Sequence, residues 1–198
     1  MNQTSAAPRL AVWAALPLGI AGAIHILITP QHWAHAPAHG LLFAVVGIAE
    51  IVWSIATLRR PSATMYRIGM VAAGGLIVLW VITRLLPAPF GHGPETVEPF
   101  GVVCKLAEGF GMIALGILIL GEATSKAGPR TGWRVITMLL IGALIAGFVT
   151  YGVARAAEPM FPWLGVTVEE HHDHQTTPEP MHEHQHETTP TQAHEHHP

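Results

Sequence analysis

Histidine dominates the part of this sequence able to do chemistry. Nine of its 14 histidines lie between Thr167 and Pro198: His171, His172, His174, His182, His184, His186, His194, His196 and His197. Seven of the 13 acids are mixed among them: Glu169, Glu170, Asp173, Glu179, Glu183, Glu187 and Glu195. Imidazole nitrogen is the commonest side-chain metal ligand, and alternating His-x-His brings rings close together on an extended chain. Pro178, Pro180, Pro190 and Pro198 keep the segment open and predict a disordered tail. Its only sulfur is Met181, which favours zinc, nickel or copper(II) over copper(I). Coordination needs neutral imidazole, so capture weakens below about pH 6. The plainer reading is a solubilising, pH-responsive tail.

A second group of ligands precedes it. His32, His35 and His39 are spaced by three and four residues, which on a helix places them along one face. Pro30 and Pro37 also fit a loop that gathers the rings. With His25 one or two turns below, four nitrogens could meet in a tetrahedral zinc or copper site; the bland alternative is a partly hydrated polar loop. Cys104 is the single cysteine, so no intramolecular disulfide and no CxxC pair exists. In its apolar surroundings it reads as a packed small hydrophobe.

The body that must position these residues is almost entirely apolar. The 198 residues are 50% hydrophobic and 12% charged, about half the charged fraction of a soluble domain. Five apolar runs approach the roughly 20 residues a transmembrane helix needs: 10–28, 39–58, 68–86, 100–120 and 135–154. Thr29-Pro30, Arg59-Arg60-Pro61, Pro87-Ala88-Pro89 and Ala127-Gly128-Pro129 separate them. The expected fold is all-α: an integral membrane bundle of about five helices over 1–162, then the tail over 163–198. The first run reads as an uncleaved anchor that tolerates Pro17. Gly19, Gly22, Gly74, Gly75 and the Gly142/Ala146 pair predict close helix contacts. Trp13, Trp33, Trp133 and Trp163 fall near run ends, as interfacial anchors do.

Charge orients this bundle. Arg9, Arg59, Arg60, Arg67, Lys126, Arg130 and Arg134 flank one side; Arg84, Lys105 and Arg155 flank the other. The positive-inside rule then predicts an inner-membrane protein with its N-terminus in the cytoplasm and its tail outside. His32, His35, His39, His92, Glu95, Glu98 and the tail would all share the outer face. Within the runs, Glu50 lies eleven residues past His39, near mid-membrane at ~1.5 Å per residue, and a carboxylate there must be neutral, paired or on a polar path. Glu50, Arg84 and Glu108 are candidates for such a path. Lys105 and Glu108 have the spacing of a local pair, and Arg84 and Lys105 also suit snorkelling to headgroups.

The segment His25-x4-Pro30-x-His32, followed by Gly40-Leu41-Leu42-Phe43 and Gly47-x2-Glu50, resembles a pattern in small bacterial polytopic membrane proteins. Thr83-Arg84-Leu85-Leu86-Pro87 with Gly91, Gly93, Pro94-Glu95 and Glu98 is similar to a second stretch of theirs. The resemblance covers roughly residues 10 to 155 and implies a five-helix membrane fold. This chain departs from it at Glu50, where those proteins often carry Gln, at Lys105, where they carry an acid, and near His35, where it lacks their acid.

No phosphate-cradling loop, nucleophile elbow or HExxH occurs, so no enzyme is expected; nor is nucleic acid, for want of a basic patch with aromatics. The expectation is a protein that handles divalent transition metal at the outer face by capture, transport or sensing. Partners would be the bilayer, metal ions and a homo-oligomer or second membrane protein. The alternatives are an accessory subunit of a larger complex and a b-type haem protein using His25 and His39 as axial ligands, the less favoured because no second pair lies deeper.

Overall fold

The computed structural model describes residues 6–166; the histidine tail lies outside them. Five long helices follow one another: α1 (Ala6–His35), α2 (Pro37–Arg59), α3 (Ala63–Leu85), α4 (Pro99–Ala127) and α5 (Pro129–Ala157), with two short 3-10 turns after α5. No strand occurs among the described residues. All five helices are long and apolar enough to cross a membrane. The shortest, α2 and α3, have 23 residues each, about 35 Å of helix against a hydrocarbon core of about 30 Å.

The breaks are set by residue type. Proline opens α2, α4 and α5 as Pro37, Pro99 and Pro129, where its missing N–H costs nothing. Ser62 caps α3, its hydroxyl accepting from the Met65 N–H at 3.3 Å. Gly128 joins α4 to α5 at φ +86°, a conformation that favours glycine. The first connection is tighter than a gathering loop. Helix α1 runs through Pro30 to His35, and α2 starts after Ala36 alone. The Thr29 hydroxyl donates to the His25 carbonyl at 2.8 Å on the way.

Helix α4 is central, packing on α1, α3 and α5, while α1 also packs on α2 and α3 on α5. The α1–α4 seam alternates steps of three and four. Ala11, Ala14, Leu18, Ala21, His25 and Ile28 are buried on α1, against Cys104, Glu108, Gly111, Leu115 and Leu118 on α4. The helices run antiparallel, since Gly111 sits against Leu18 and Ala14 while Cys104 reaches His25. Small residues bring α2 close: a Cβ on Gly22 would lie 2.8 Å from the Gly47 carbonyl oxygen, and one on Gly47 2.7 Å from that of Gly22. Gly74 meets Ala143 and Gly75 meets Ala146 between α3 and α5. Helices α2 and α3 barely touch. The outward faces of α2 and α5 expose Val45, Ile48 and Val52, and Ile141, Leu144, Ile145 and Phe148. A continuous apolar exterior of this kind suits lipid rather than water.

Candidate functional site

The α1–α4 seam is apolar for most of its length and turns polar at one end. His25 there is 3% exposed, Cys104 1% and Glu108 0%. Cys104 Sγ lies 3.3 Å from His25 Nε2 and 3.5 Å from Glu108 Oε1. His25 Nε2 is 3.8 Å from Glu108 Oε1. One ligand atom from each of these three side chains falls within 4.8 Å of the others, a spacing that a single ion can span. It is the one such group of three among the described residues.

Two further side chains complete the cluster. Glu50, 9% exposed on α2, places Oε2 2.8 Å from His25 Nδ1. With Nδ1–H donating to this carboxylate, Nε2 keeps its lone pair towards Cys104 and Glu108. A carboxylate behind the far nitrogen is the usual way a metal-binding histidine is oriented. Lys105 pairs with Glu108 Oε1 across one turn of α4. Two acceptors remain buried without a hydrogen bond, Glu50 Oε1 and Glu108 Oε2. Unsatisfied buried carboxylate oxygens are costly, and a bound cation relieves that cost.

Above this cluster lies a second polar layer. His39 Nε2 donates to the Pro89 carbonyl at 2.7 Å, and Nδ1 lies 3.1 Å from Glu95 Oε1. Arg84 donates to Glu95 Oε2 and to the Thr83 hydroxyl, each at 2.8 Å. Its guanidinium also sits 4.7 Å from the centre of the Trp80 ring. The Glu95 N–H donates to the Thr83 carbonyl at 2.9 Å, fixing the connection between α3 and α4 against α3.

A cavity of about 180 Å³ runs from this layer down to His25, Cys104 and Lys105. It adjoins an open vestibule of about 420 Å³ at this end of the bundle, lined by His32, His35, His39, His92, Glu95 and Glu98 among others. His32, His39, Arg84, Glu95 and Glu98 border both spaces.

The structure therefore divides the four histidines that the sequence grouped. His25 belongs to the inner cluster. His32 turns Nδ1 to the Ile28 carbonyl at 3.0 Å, with its ring 4.1 Å from that of Phe43. His35 is exposed in the vestibule. His39 is buried among Pro89 and Glu95. The nitrogens of His25 and His39, the proposed haem axial pair, already face separate partners. Glu50 and Glu108 both join the inner cluster, whereas Arg84 belongs to the upper layer. The expected ligands His171, His172, His174, His182, His184, His186, His194, His196 and His197 fall outside the described residues.

Sequence reasoning set Cys104 aside as packing. It is buried as that reading expects, yet its sulfur is the hinge of the cluster. The available signal was register: Cys104 and Glu108 continue the seam of Gly111, Leu115 and Leu118, as His25 continues that of Ala14, Leu18 and Ala21.

Fold and site together define an all-helical bundle of the multi-pass membrane type, with a buried His/Cys/Glu cluster a few turns below one end. Comparison with protein-family models, curated proteins and solved structures finds no match for this chain.

Proposed function

We propose that this protein takes a transition-metal ion from the outer face of a bacterial inner membrane into the buried His25–Cys104–Glu108 site. The convergence of those three ligand atoms within 4.8 Å is the observation that carries the reading. The unpartnered oxygen of Glu108 and the Glu50 carboxylate behind His25 Nδ1 support it. The outer orientation rests on the seven-against-three distribution of basic residues. In this scheme the nine tail histidines collect ions at low affinity and raise their local concentration. His32, His35, His39 and His92 then relay them inward, while Glu50 orients His25. One imidazole, one thiolate and one carboxylate suit a borderline divalent ion, zinc above nickel and copper(II). Loading requires the Cys104 proton to leave and Lys105 to release Glu108.

The Lys105–Glu108 pair favours a second reading, in which the cluster ties α1, α2 and α4 together without a ligand in an accessory subunit. Cobalt(II) titration of the full-length protein in detergent separates the two. The metal reading expects a thiolate-to-cobalt charge-transfer band that saturates at one ion per chain and vanishes in Cys104→Ser. The tail contains no cysteine and cannot produce that band. Its absence from the wild-type protein refutes the metal reading.

A further inference from the structure

A second binding feature lies between α2 and α3. Because these helices barely touch, a crevice of about 700 Å³ opens between them, with Leu18 of α1 and Ala146 of α5 at its sides. Its walls are almost wholly apolar; Glu50 is the single ionisable residue on them. Leu42, Val46, Leu76, Leu79 and Thr150 border both this crevice and the inner cavity, so the two adjoin across these side chains. Together they extend from the apolar exterior towards the polar layer around Arg84.

The polar end has a specific character. Trp80 Nε1 and Arg84 Nε are both buried donors with no hydrogen-bond partner. Gly101 keeps space open beside them: a Cβ there would lie 3.3 Å from Trp80 Nε1 and 4.0 Å from an outer guanidinium nitrogen of Arg84. Buried N–H groups left in this way call for an acceptor. The acceptor need not be charged, because Arg84 is already paired with Glu95 and Lys105 with Glu108. An anionic headgroup would meet no unpaired cation here and would face Glu95 and Glu98, which line the same cavity. The remaining walls include the aromatic rings of Phe43, Trp80 and Phe90. An apolar cavity of about 150 Å³ holds a benzene ring, and this one measures about 180 Å³.

From these observations we infer a binding site for an isoprenoid quinone, with its ring beside Trp80, Arg84 and Gly101 and its tail in the α2–α3 crevice. The class follows from the chemistry: a neutral flat ring, carbonyl oxygens that accept from Trp80 Nε1 and Arg84 Nε, and a long apolar tail. The inference shares with the functional reading the membrane setting and the inner cavity that ends at His25 and Cys104, but uses none of the three proposed metal-binding side chains. Quinone binding without cobalt binding, or the reverse, separates the failure of one from the failure of the other.

The test uses full-length protein in detergent, titrated with decylubiquinone, free and bound ligand being separated and read by the quinone's own absorbance. Saturation at one per chain is expected. Trp80→Phe and Arg84→Lys each remove one donor, and Arg84→Lys keeps the charge; each is expected to weaken binding about fivefold, the value of one hydrogen bond. Gly101→Leu fills the ring space and is expected to abolish binding. Thermal unfolding checks that each variant folds, and if Gly101→Leu does not, the two donor variants carry the result. Four outcomes overturn the inference: no saturable binding, equal binding of decylbenzene (which has no carbonyl), unchanged affinity in both donor variants, or preferential binding of oleate, which would assign the crevice to an anionic lipid instead.

Discussion

Glu50 is the residue whose replacement best tests how the inner site is built. Its Oε2 lies 2.8 Å from His25 Nδ1, and it comes from a different helix from every residue that would touch the ion. If His25 binds metal through Nε2, Glu50 acts only through the ring, by fixing its orientation and raising its basicity. Removing such a partner usually costs ten- to a hundredfold in metal affinity. Glu50→Gln keeps an acceptor oxygen and loses the charge, so a loss near tenfold is expected, about 1.4 kcal/mol. Glu50→Ala leaves the ring unheld beside a small void, and a loss near a hundredfold is expected, about 2.8 kcal/mol. The assay is the cobalt(II) charge-transfer titration, with zinc competition giving relative affinities. The band should persist in both variants with its half-saturation moved, whereas Cys104→Ser removes it. An affinity within twofold of wild type for Glu50→Ala, in a protein that still shows the band, refutes the orienting role and with it the assignment of Nε2 as ligand atom.

Lys105→Met removes the cation that competes for Glu108 and is expected to raise cobalt affinity by roughly tenfold, the order of one released charge-assisted hydrogen bond; a lower affinity would make Lys105 part of the site. Gly47→Leu drives a side chain against the Gly22 carbonyl and Ile26, and a loss of about 1–3 kcal/mol is expected from thermal or denaturant unfolding in detergent. Gly116→Leu, where nothing lies within 4 Å, serves as its control and should leave the midpoint almost unchanged. His92→Cys should react with a membrane-impermeant thiol reagent added to intact cells, and Ser62→Cys only after permeabilisation. The reverse pattern would invert the orientation and move the vestibule to the cytoplasm.

The helices were legible because a run of apolar residues about 20 long has few other fates, and because Arg60-Pro61, Pro87-Ala88-Pro89 and Gly128-Pro129 mark three of the breaks; Pro30, the fourth expected breaker, lies inside α1. Their polar ends were less so. His32 and His35 extend α1 beyond its apolar run, since a helix already started gains a hydrogen bond with each added residue whatever its polarity. The grouping of His25 with His32, His35 and His39 followed proximity along the chain, whereas the structure groups His25 with residues 25 and about 80 positions away. Only helix pairing decides that, and pairing is weakly encoded when every neighbour is apolar. Part of it was nonetheless present. The alternation of three and four through Ala11, Ala14, Leu18, Ala21 and His25 is matched by that through Cys104, Glu108, Gly111, Leu115 and Leu118. Two seams of equal length, each ending in polar residues, already pointed to each other.

That polar end is hard to account for as packing. The bundle holds its helices together elsewhere with small residues: Gly22 on Gly47, Gly74 on Ala143, and alanines along α1. These contacts need no partner of opposite charge and carry no desolvation cost. Replacing a buried ionic group by apolar residues of similar volume is commonly neutral or stabilising, so a seam that continued as Ala and Leu through positions 25, 104 and 108 would serve the fold as well. Instead the chain buries a histidine, a thiol and two carboxylates within one cluster, and leaves one oxygen of each carboxylate unbonded. Ionisable groups inside such bundles mark ion and proton pathways more often than they mark packing. The cluster also adjoins the cavity that borders the vestibule, where a seam made only for packing would be closed. Burial, unsatisfied oxygens and access together support the proposed ligand at this cluster, with the Cys104 sulfur among the atoms that could touch it.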